Sequence, residues 1–105
     1  MPKPPTLTDE QRRQALAKAA SVRRRRAEIR AQLKAGDLAM RELLDLAQAD
    51  EAIATMRVLA VLESLPRVGK VGARRTLNRL GIAESRKIHG LGLRQREGLL
   101  SFGDC

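Results

Sequence analysis

Residues 65–75 combine glycines with cations in a pattern suited to binding an anion, and they read Leu-Pro-Arg-Val-Gly-Lys-Val-Gly-Ala-Arg-Arg. Gly69 and Gly72 allow positive φ and place no Cβ over the surface. Unobstructed N–H groups at the start of a helix carry the positive end of its dipole, which favours a phosphate. The sequence therefore predicts a phosphate site in a turn between two helices. The alternative is an ordinary turn, since glycine and proline are common in helix connections.

Four basic side chains crowd this one turn and would surround the phosphate with mobile positive charge. Contacts from such side chains to phosphates position a protein on a nucleic acid but carry no information about base sequence. The candidate contacts within the segment are Arg67, Val68, Gly69, Lys70, Val71, Gly72, Arg74 and Arg75.

Charge is distributed unevenly along the 105 residues. The chain carries 21 Lys and Arg against 12 Asp and Glu, a net charge of +9, and its pI is about 11.2. Residues 1–36 hold ten basic and three acidic side chains, residues 37–65 hold two and six, and residues 66–105 hold nine and three. Two basic regions flanking an acidic middle indicate defined phosphate-facing surfaces. The alternative is a soluble protein that is merely rich in arginine.

A run of four arginines, Arg23 to Arg26, is the second basic feature. Consecutive residues of a helix point to every side, so the four cannot all reach one nucleic-acid backbone. Some must be solvated or paired, with Glu28 or with the acidic middle segment. We hypothesise a second DNA surface, and its candidate residues are Lys3, Arg23, Arg24, Arg25 and Arg26. The alternative is a solvated helix face.

The sequence offers little support for catalytic or metal-binding chemistry. Cys105 is the only cysteine, which excludes a disulfide framework and a cysteine-based zinc site. His89 is a lone histidine without partners for a catalytic triad. We therefore expect no enzyme, no catalytic residue, no metal and no cofactor. No apolar run approaches the roughly 20 residues that span a bilayer, and no secretory signal is present, so we expect a cytoplasmic protein.

The first third of the chain predicts an arm and a long helix. Residues 1–8 contain three prolines and should be extended. Thr8 and Gln11 have the spacing of a capping box, and Gly36 is placed to end the helix, so a long basic helix is expected over 9–36. Its narrow apolar stripe indicates that only part of it packs. The stripe consists of Ala15, Ala19, Val22, Ile29 and Leu33.

Residues 37–105 predict a compact helical domain. Asp37 and Asp50 are candidate N-caps of a second and a third helix, and the third should run to about Leu65 as the buried centre. Pro66 stops it. A turn over 67–72 should precede a short helix over 73–80, and a final helix should cover 93–101. The expected fold class is all-α, with a long N-terminal helix followed by a compact helical domain.

Part of this domain resembles the helix–two-turn–helix module of a ribosomal protein from the small-subunit head and of formamidopyrimidine-type DNA glycosylases. The residues that carry the resemblance are Val68, Gly69, Ala73, Leu77, Gly81, Ile82, Arg86, Lys87, Ile88 and Leu91. Arg67 departs from the pattern, because the ribosomal proteins usually have glycine there, and Gly72 replaces a larger residue. Those glycosylases use an N-terminal proline as nucleophile, but no Glu follows Pro2. The resemblance thus implies binding rather than catalysis.

Over its whole length the chain resembles the integration host factors of actinobacteria, the streptomycete form in particular. Leu-Pro-x-Val-Gly-Lys-Val and Gly-Ile-Ala-Glu-Ser-Arg-Lys are the segments most alike. This resemblance implies a single-chain, nucleoid-associated DNA-binding protein that affects DNA topology, compaction and site-specific integration. It also implies that Gly69 to Gly72 contact phosphate, with Arg86 and Lys87 close by.

Three function classes compete. The leading hypothesis is a monomer that binds duplex DNA through backbone phosphates with little sequence specificity; without Trp or Tyr the chain lacks the stacking platforms of single-strand binders. The alternative is a structured-RNA or ribosomal RNA binder, although the chain ends Ser-Phe-Gly-Asp-Cys rather than in a basic tail. The third class, a module for acidic protein partners, would need an exposed apolar face that the sequence does not indicate.

Overall fold

The structure, a computed structural model, describes residues 7–103, and within them it consists of helices and the turns that join them. The helices are α1 (Asp9–Ala35), α2 (Met40–Ala47), α3 (Glu51–Ala54), α4 (Val58–Ser64), α5 (Gly69–Leu80) and α6 (Leu93–Gly103), with a 3₁₀ turn at Ile88–Gly90 before α6. The predicted all-α class is confirmed. Lys3, Cys105 and most of the predicted arm lie outside the described residues, and the division into an arm, a long helix and a domain stays a prediction.

Helix α1 begins and ends where the sequence predicts. The Thr8 hydroxyl accepts from the Gln11 N–H at 3.1 Å, and the Gln11 side chain accepts from the Thr8 N–H at 2.9 Å. Gly36 ends the helix with φ +79°. Its 27 residues span about 40 Å at 1.5 Å per residue, most of the 53 Å length of the molecule. Residues 9–19 are exposed, so the first half of α1 projects from the body.

The core joins the second half of α1 to the remaining helices. Its largest fully buried side chains are Ile29, Leu33, Leu43, Leu44, Ile53, Val58, Val61, Leu62, Leu77 and Leu99. Each such side chain contributes roughly 1.5–3 kcal/mol by leaving water. Leu46 of α2 stays 38% exposed. The core thus fixes α4 and α5, which flank the glycine-rich turn, against α1.

The predicted N-cap at Asp37 is wrong. Its N–H instead donates to the Gln32 carbonyl at 2.9 Å, so Asp37 belongs to the C-terminal cap of α1. Leu38 then turns into the core, and α2 starts only at Met40. Glu42 accepts from the Ala39 N–H at 3.1 Å and satisfies one of the donors at this helix start.

The single third helix expected from Asp50 to Leu65 is also wrong, because the chain breaks between α3 and α4. The Val58 N–H donates to the Arg86 carbonyl at 2.9 Å, and the Ile88 N–H donates to the Met56 carbonyl at 3.0 Å. A continuous helix would have used these groups internally. The break therefore attaches residues 86–88 to the start of α4.

Asp50 caps α3 as predicted and also holds α1. It accepts from the Ala52 N–H at 3.0 Å and from the Arg25 Nε at 2.8 Å. The Arg25 guanidinium lowers the pKa of Asp50 below its ordinary value of 3.8. A carboxyl whose pKa is lowered by folding contributes stability that is complete above its unfolded pKa and is lost as pH falls through the folded one.

We expect Asp50→Asn to reveal this ion pair, since Asn caps helices about as well as Asp but carries no charge. Near neutral pH the variant should be less stable by up to about 1 kcal/mol, because the pair is partly exposed. Thermal unfolding between about pH 7 and pH 2 should show the two melting temperatures converging at the acid end. A difference that persists undiminished to the lowest pH would assign Asp50 another role.

Candidate nucleic-acid interface

The turn between α4 and α5 is built on two positive φ angles. Leu65 is extended, as a residue before proline tends to be, and Pro66 prevents α4 from continuing. Arg67 follows with φ +67°, and it is the one non-glycine residue with positive φ among residues 7–103. Gly69 has φ +69°. The chain thereby reverses within four residues and enters α5.

Helix α5 starts at Gly69, four residues earlier than expected. Gly72 therefore lies inside the first turn of α5, and the expected positive φ holds for Gly69 and not for Gly72. A Cβ at Gly72 would meet the Val68 Cγ1 at 3.5 Å, an ordinary contact. The backbone does not require glycine at position 72, and the missing side chain leaves the surface of the helix start open.

The start of α5 presents backbone donors to solvent. The first four N–H groups of a helix, counted from the N-cap, have no partner within it; in α5 they belong to residues 68–71, because Val68 is the N-cap. The Val68 N–H donates to the Leu65 carbonyl at 3.4 Å, and within residues 7–103 the other three donate to no loop and no side chain. No acidic residue lies in the first turn to offset the dipole of this 12-residue helix. The arrangement suits an anion.

Cations line one side of α5 and form a groove over an apolar floor. This α5 groove is lined by Arg67, Val68, Gly72, Arg75, Thr76, Arg79 and Phe102. Sequence reasoning missed Arg79 as a site residue. The signal was available, because Arg75 and Arg79 are four residues apart and share a helix face.

Arg74 is oriented differently from its neighbours. Its Nε donates to the Glu84 Oε1 at 2.7 Å, and both side chains are more than half exposed. A solvent-exposed pair of this kind is held by about 1 kcal/mol or less. Arg74 can thus exchange the carboxylate for another anion. Lys70 and Val71 are exposed at the surface.

Arg86 and Lys87 lie in the second turn of the module. Besides its carbonyl contact with Val58, Arg86 donates from Nη1 to the Gly90 carbonyl at 2.8 Å. Lys87 pairs with Arg57 in an isolated antiparallel bridge. Lys87 lines the groove between α1 and α4, not the α5 groove. The structure therefore does not bring Lys87 and the glycines of α5 into one groove.

The arginine run of α1 is divided between two environments. Arg25 binds Asp50 and, at 3.4 Å, Glu28. Arg26 donates to the Ala52 carbonyl at 3.1 Å and to the Thr55 hydroxyl at 2.6 Å. These two side chains hold α1 against α3. Two more arginines of the run, at positions 23 and 24, are exposed and make no hydrogen bond or ion pair within the described residues.

Residues 7–103 contain neither a membrane-spanning helix nor a cluster of metal ligands. No helix among them is long and apolar enough to span a membrane. No group of three or more His, Cys, Asp or Glu side chains among them could hold a metal ion.

The two turns, with α5 between them, define a helix–two-turn–helix protein. Residues 33–102 match the family model of the S13-like H2TH domain, which confirms the predicted module. The chain belongs to the integration host factor family. It is 50% identical to the integration host factor of Mycolicibacterium smegmatis over 95% of each chain. It is 50% identical to that of Streptomyces coelicolor over 87% of this chain and 85% of the relative.

A solved structure, that of sIHF bound to an 8-bp palindromic DNA, is similar to this fold. The TM-score is 0.80 and the sequence identity 44%, and the match covers 83% of this chain and 98% of the other. The whole-length resemblance predicted from the sequence is thereby confirmed.

Proposed function

We propose that this protein is a nucleoid-associated protein that binds duplex DNA through backbone phosphates with little sequence specificity. The observation that carries the proposal is the start of α5, where three backbone donors and the positive end of a helix dipole face solvent among cations. The DNA in the structure of the related sIHF supports duplex DNA over structured RNA as the anion.

The proposed contacts divide into backbone donors and side chains. The N–H groups of residues 69–71 would hold one phosphate, Gly72 would leave room for it, and the cations around them would contact its neighbours. Arg74 would leave Glu84 for a phosphate oxygen. The residues proposed to contact DNA are Arg67, Val68, Gly69, Lys70, Val71, Gly72, Arg74, Arg75, Arg86 and Lys87.

The proposal keeps a second DNA surface on α1, with fewer residues than the sequence predicted. Arg23 and Arg24 are exposed and available for phosphates, whereas Arg25 and Arg26 are engaged within the fold. Lys3, the remaining member of the predicted surface, lies outside the described residues. We further propose that the protein acts as a monomer in the nucleoid, affects DNA topology and compaction, and has no catalytic role.

Salt dependence tests the phosphate mechanism. With a handful of Lys and Arg contacts, the logarithm of duplex affinity should fall linearly with the logarithm of salt concentration, with a slope of roughly −4 to −7. Fluorescence anisotropy at several salt concentrations measures it. Random duplexes should compete within about tenfold of one another, because phosphate contacts do not read bases.

The same titration with single-stranded DNA and structured RNA as competitors discriminates between the function classes. The duplex should compete best. An affinity that barely changes with salt, or structured RNA that displaces the duplex, would reject the proposed function.

A further inference from the structure

Val71 differs from the other side chains at the start of α5 because it is both apolar and exposed. It is 65% exposed and is one of five large hydrophobic residues that are open to solvent within residues 7–103. None of the other four lies in α5 or in the turn before it; they are Leu7, Leu16, Leu46 and Leu93. Single exposed hydrophobic residues are common on protein surfaces, so the position of Val71 is what matters.

The fold itself does not call for a valine at position 71. The buried face of α5 consists of Ala73, Thr76 and Leu77, and Val71 has no place in it. Valine is a weaker helix former than alanine, lysine or arginine, because its branched side chain loses χ1 freedom against the preceding turn. An exposed valine in the first turn therefore weakens α5 slightly without adding to the core.

The side chain of Val71 lies beside the free backbone donors. Its own N–H is one of the three, with those of Gly69 and Lys70, that have no partner within residues 7–103. The Cα–Cβ bonds of a helix tilt toward its N-terminus, so a side chain covers the turn that precedes its own Cα. The two methyl groups of Val71 thus lean toward the place where a bound phosphate would sit.

An apolar group at this place would meet a sugar. Every phosphate of a nucleic acid is flanked by two sugars, and the 2′-hydroxyl is what distinguishes ribose from deoxyribose. Methyl groups can pack against the C2′ methylene of deoxyribose, but they offer a 2′-hydroxyl no hydrogen bond, and a hydroxyl that loses water without a new partner is disfavoured. Cations do not discriminate in this way, since they attract the phosphates of DNA and RNA alike.

We propose that Val71 is a specificity residue that packs against the deoxyribose next to the phosphate held by residues 69–71 and thereby favours DNA over RNA. The inference rests on the proposed function and deepens it, because it assigns the choice between the two nucleic acids to one side chain. An apolar site rejects an added hydroxyl by no more than about a hundredfold. A single exposed valine should contribute about fivefold.

The variant Val71→Thr tests this proposal, because it keeps the shape of valine and replaces one methyl group with a hydroxyl that can bond a 2′-hydroxyl. Anisotropy titrations with a DNA duplex and an RNA duplex of the same sequence, each of about 20 bp or roughly two turns, give the ratio of the RNA Kd to the DNA Kd. This ratio should be about fivefold smaller for the variant than for the parent. The two duplexes also differ in helical shape, but that contribution is common to both proteins and cancels.

Leu93→Thr is the matched control, because it changes an exposed hydrophobic residue at the start of another helix. The Gln95 Nε2 donates to the Gly81 carbonyl at 2.9 Å, so the start of α6 lies at the C-terminal end of α5. Val71 lies near the other end of this 12-residue helix, which is about 18 Å long at 1.5 Å per residue. The control should keep the ratio of the parent.

A second variant, Val71→Ala, tests the sugar contact without introducing a polar group. It should lose about threefold in affinity for the DNA duplex, because less apolar surface is buried, and its salt slope should be unchanged, because no charge is removed. Positions 71 and 93 are exposed, so all three variants should fold, and circular dichroism verifies it.

An unchanged ratio in folded Val71→Thr would overturn the role of Val71 and leave the phosphate mechanism intact. The same conclusion would follow from an equal shift in Leu93→Thr, or from a Val71→Ala variant that binds the DNA duplex as tightly as the parent. A parent protein that binds no duplex DNA, or binds it with an affinity that barely changes with salt, would overturn the proposed function and this inference with it.

Discussion

Gly72→Val should leave the protein folded and cost it at least tenfold in affinity for duplex DNA. Gly72 has helical φ, and its added Cβ meets only the Val68 Cγ1 at an ordinary 3.5 Å, so the backbone tolerates the change. Valine also has a higher helix propensity than glycine, and stability should be kept or rise by a few tenths of a kcal/mol. The branched side chain would nonetheless stand over the N–H groups that the phosphate must reach.

The affinity loss of Gly72→Val is to be compared with that of Lys70→Ala. It removes one exposed charge, which should cost roughly 1 kcal/mol, about fivefold in affinity, and make the salt slope shallower by about one. The glycine variant should lose more affinity with its salt slope unchanged. Gly69→Val is a poorer probe, because its φ of +69° would strain any side chain.

Anisotropy titrations and thermal melts on the three proteins decide the matter. If folded Gly72→Val binds duplex DNA as tightly as the parent, the phosphate site is not at the start of α5. The α1 arginines would then become the main candidates for contact.

Arg25→Gln/Arg26→Gln should lower the melting temperature by roughly 10 °C. Together the two guanidiniums make four hydrogen bonds, to Asp50, Glu28, Ala52 and Thr55, and they attach α1 to α3. Hydrogen bonds to charged groups contribute about 1.5–3 kcal/mol where they are buried; these are partly exposed, so we expect about 2 kcal/mol in all. In a domain of this size each kcal/mol shifts the melting temperature by roughly 4–8 °C.

The adjacent pair Arg23→Gln/Arg24→Gln provides the matched control. It removes the same charge from the same turn of α1, but those side chains are exposed and unpaired within the described residues. Its melting temperature should stay within a few degrees of the parent's, while DNA affinity falls if α1 carries a second surface. Identical melting temperatures for the two double variants would show that Arg25 and Arg26 do not anchor α1. The pairing with Glu28 or the acidic middle segment, which the sequence indicated for part of this run, is made by Arg25 with Glu28 and Asp50.

The features predicted correctly from the sequence depend on neighbouring residues. The Thr8 capping box, the left-handed Gly36 and the chain reversal around Pro66 are each complete within a few positions. The helix–two-turn–helix pattern is longer, but its residues from Val68 to Leu91 follow one another along a single stretch of the chain. The features missed depend on contacts between distant segments. The break after α3 exists because residues 86–88 supply hydrogen bonds to it.

The candidate site shows the same division. The glycines and cations around residue 70 are evident directly from the sequence. That Arg67 adopts positive φ, or that Arg26 reaches α3, follows from where α1 and α4 pack, and no local pattern indicates it. Charge alone identifies which residues can bind phosphate, and packing decides which of them remain available.

The attachment of residues 86–88 to the start of α4 makes the module a closed ring. The ring runs through α4, the first turn, α5 and the second turn, and the backbone hydrogen bonds at Val58 and Ile88 shut it. The conformational entropy of both turns is therefore lost when the protein folds, not when an anion arrives. A preorganised ring leaves little for the protein to adjust on binding. Whatever deformation a complex requires falls on the nucleic acid, whose own stiffness then sets which sites are favoured.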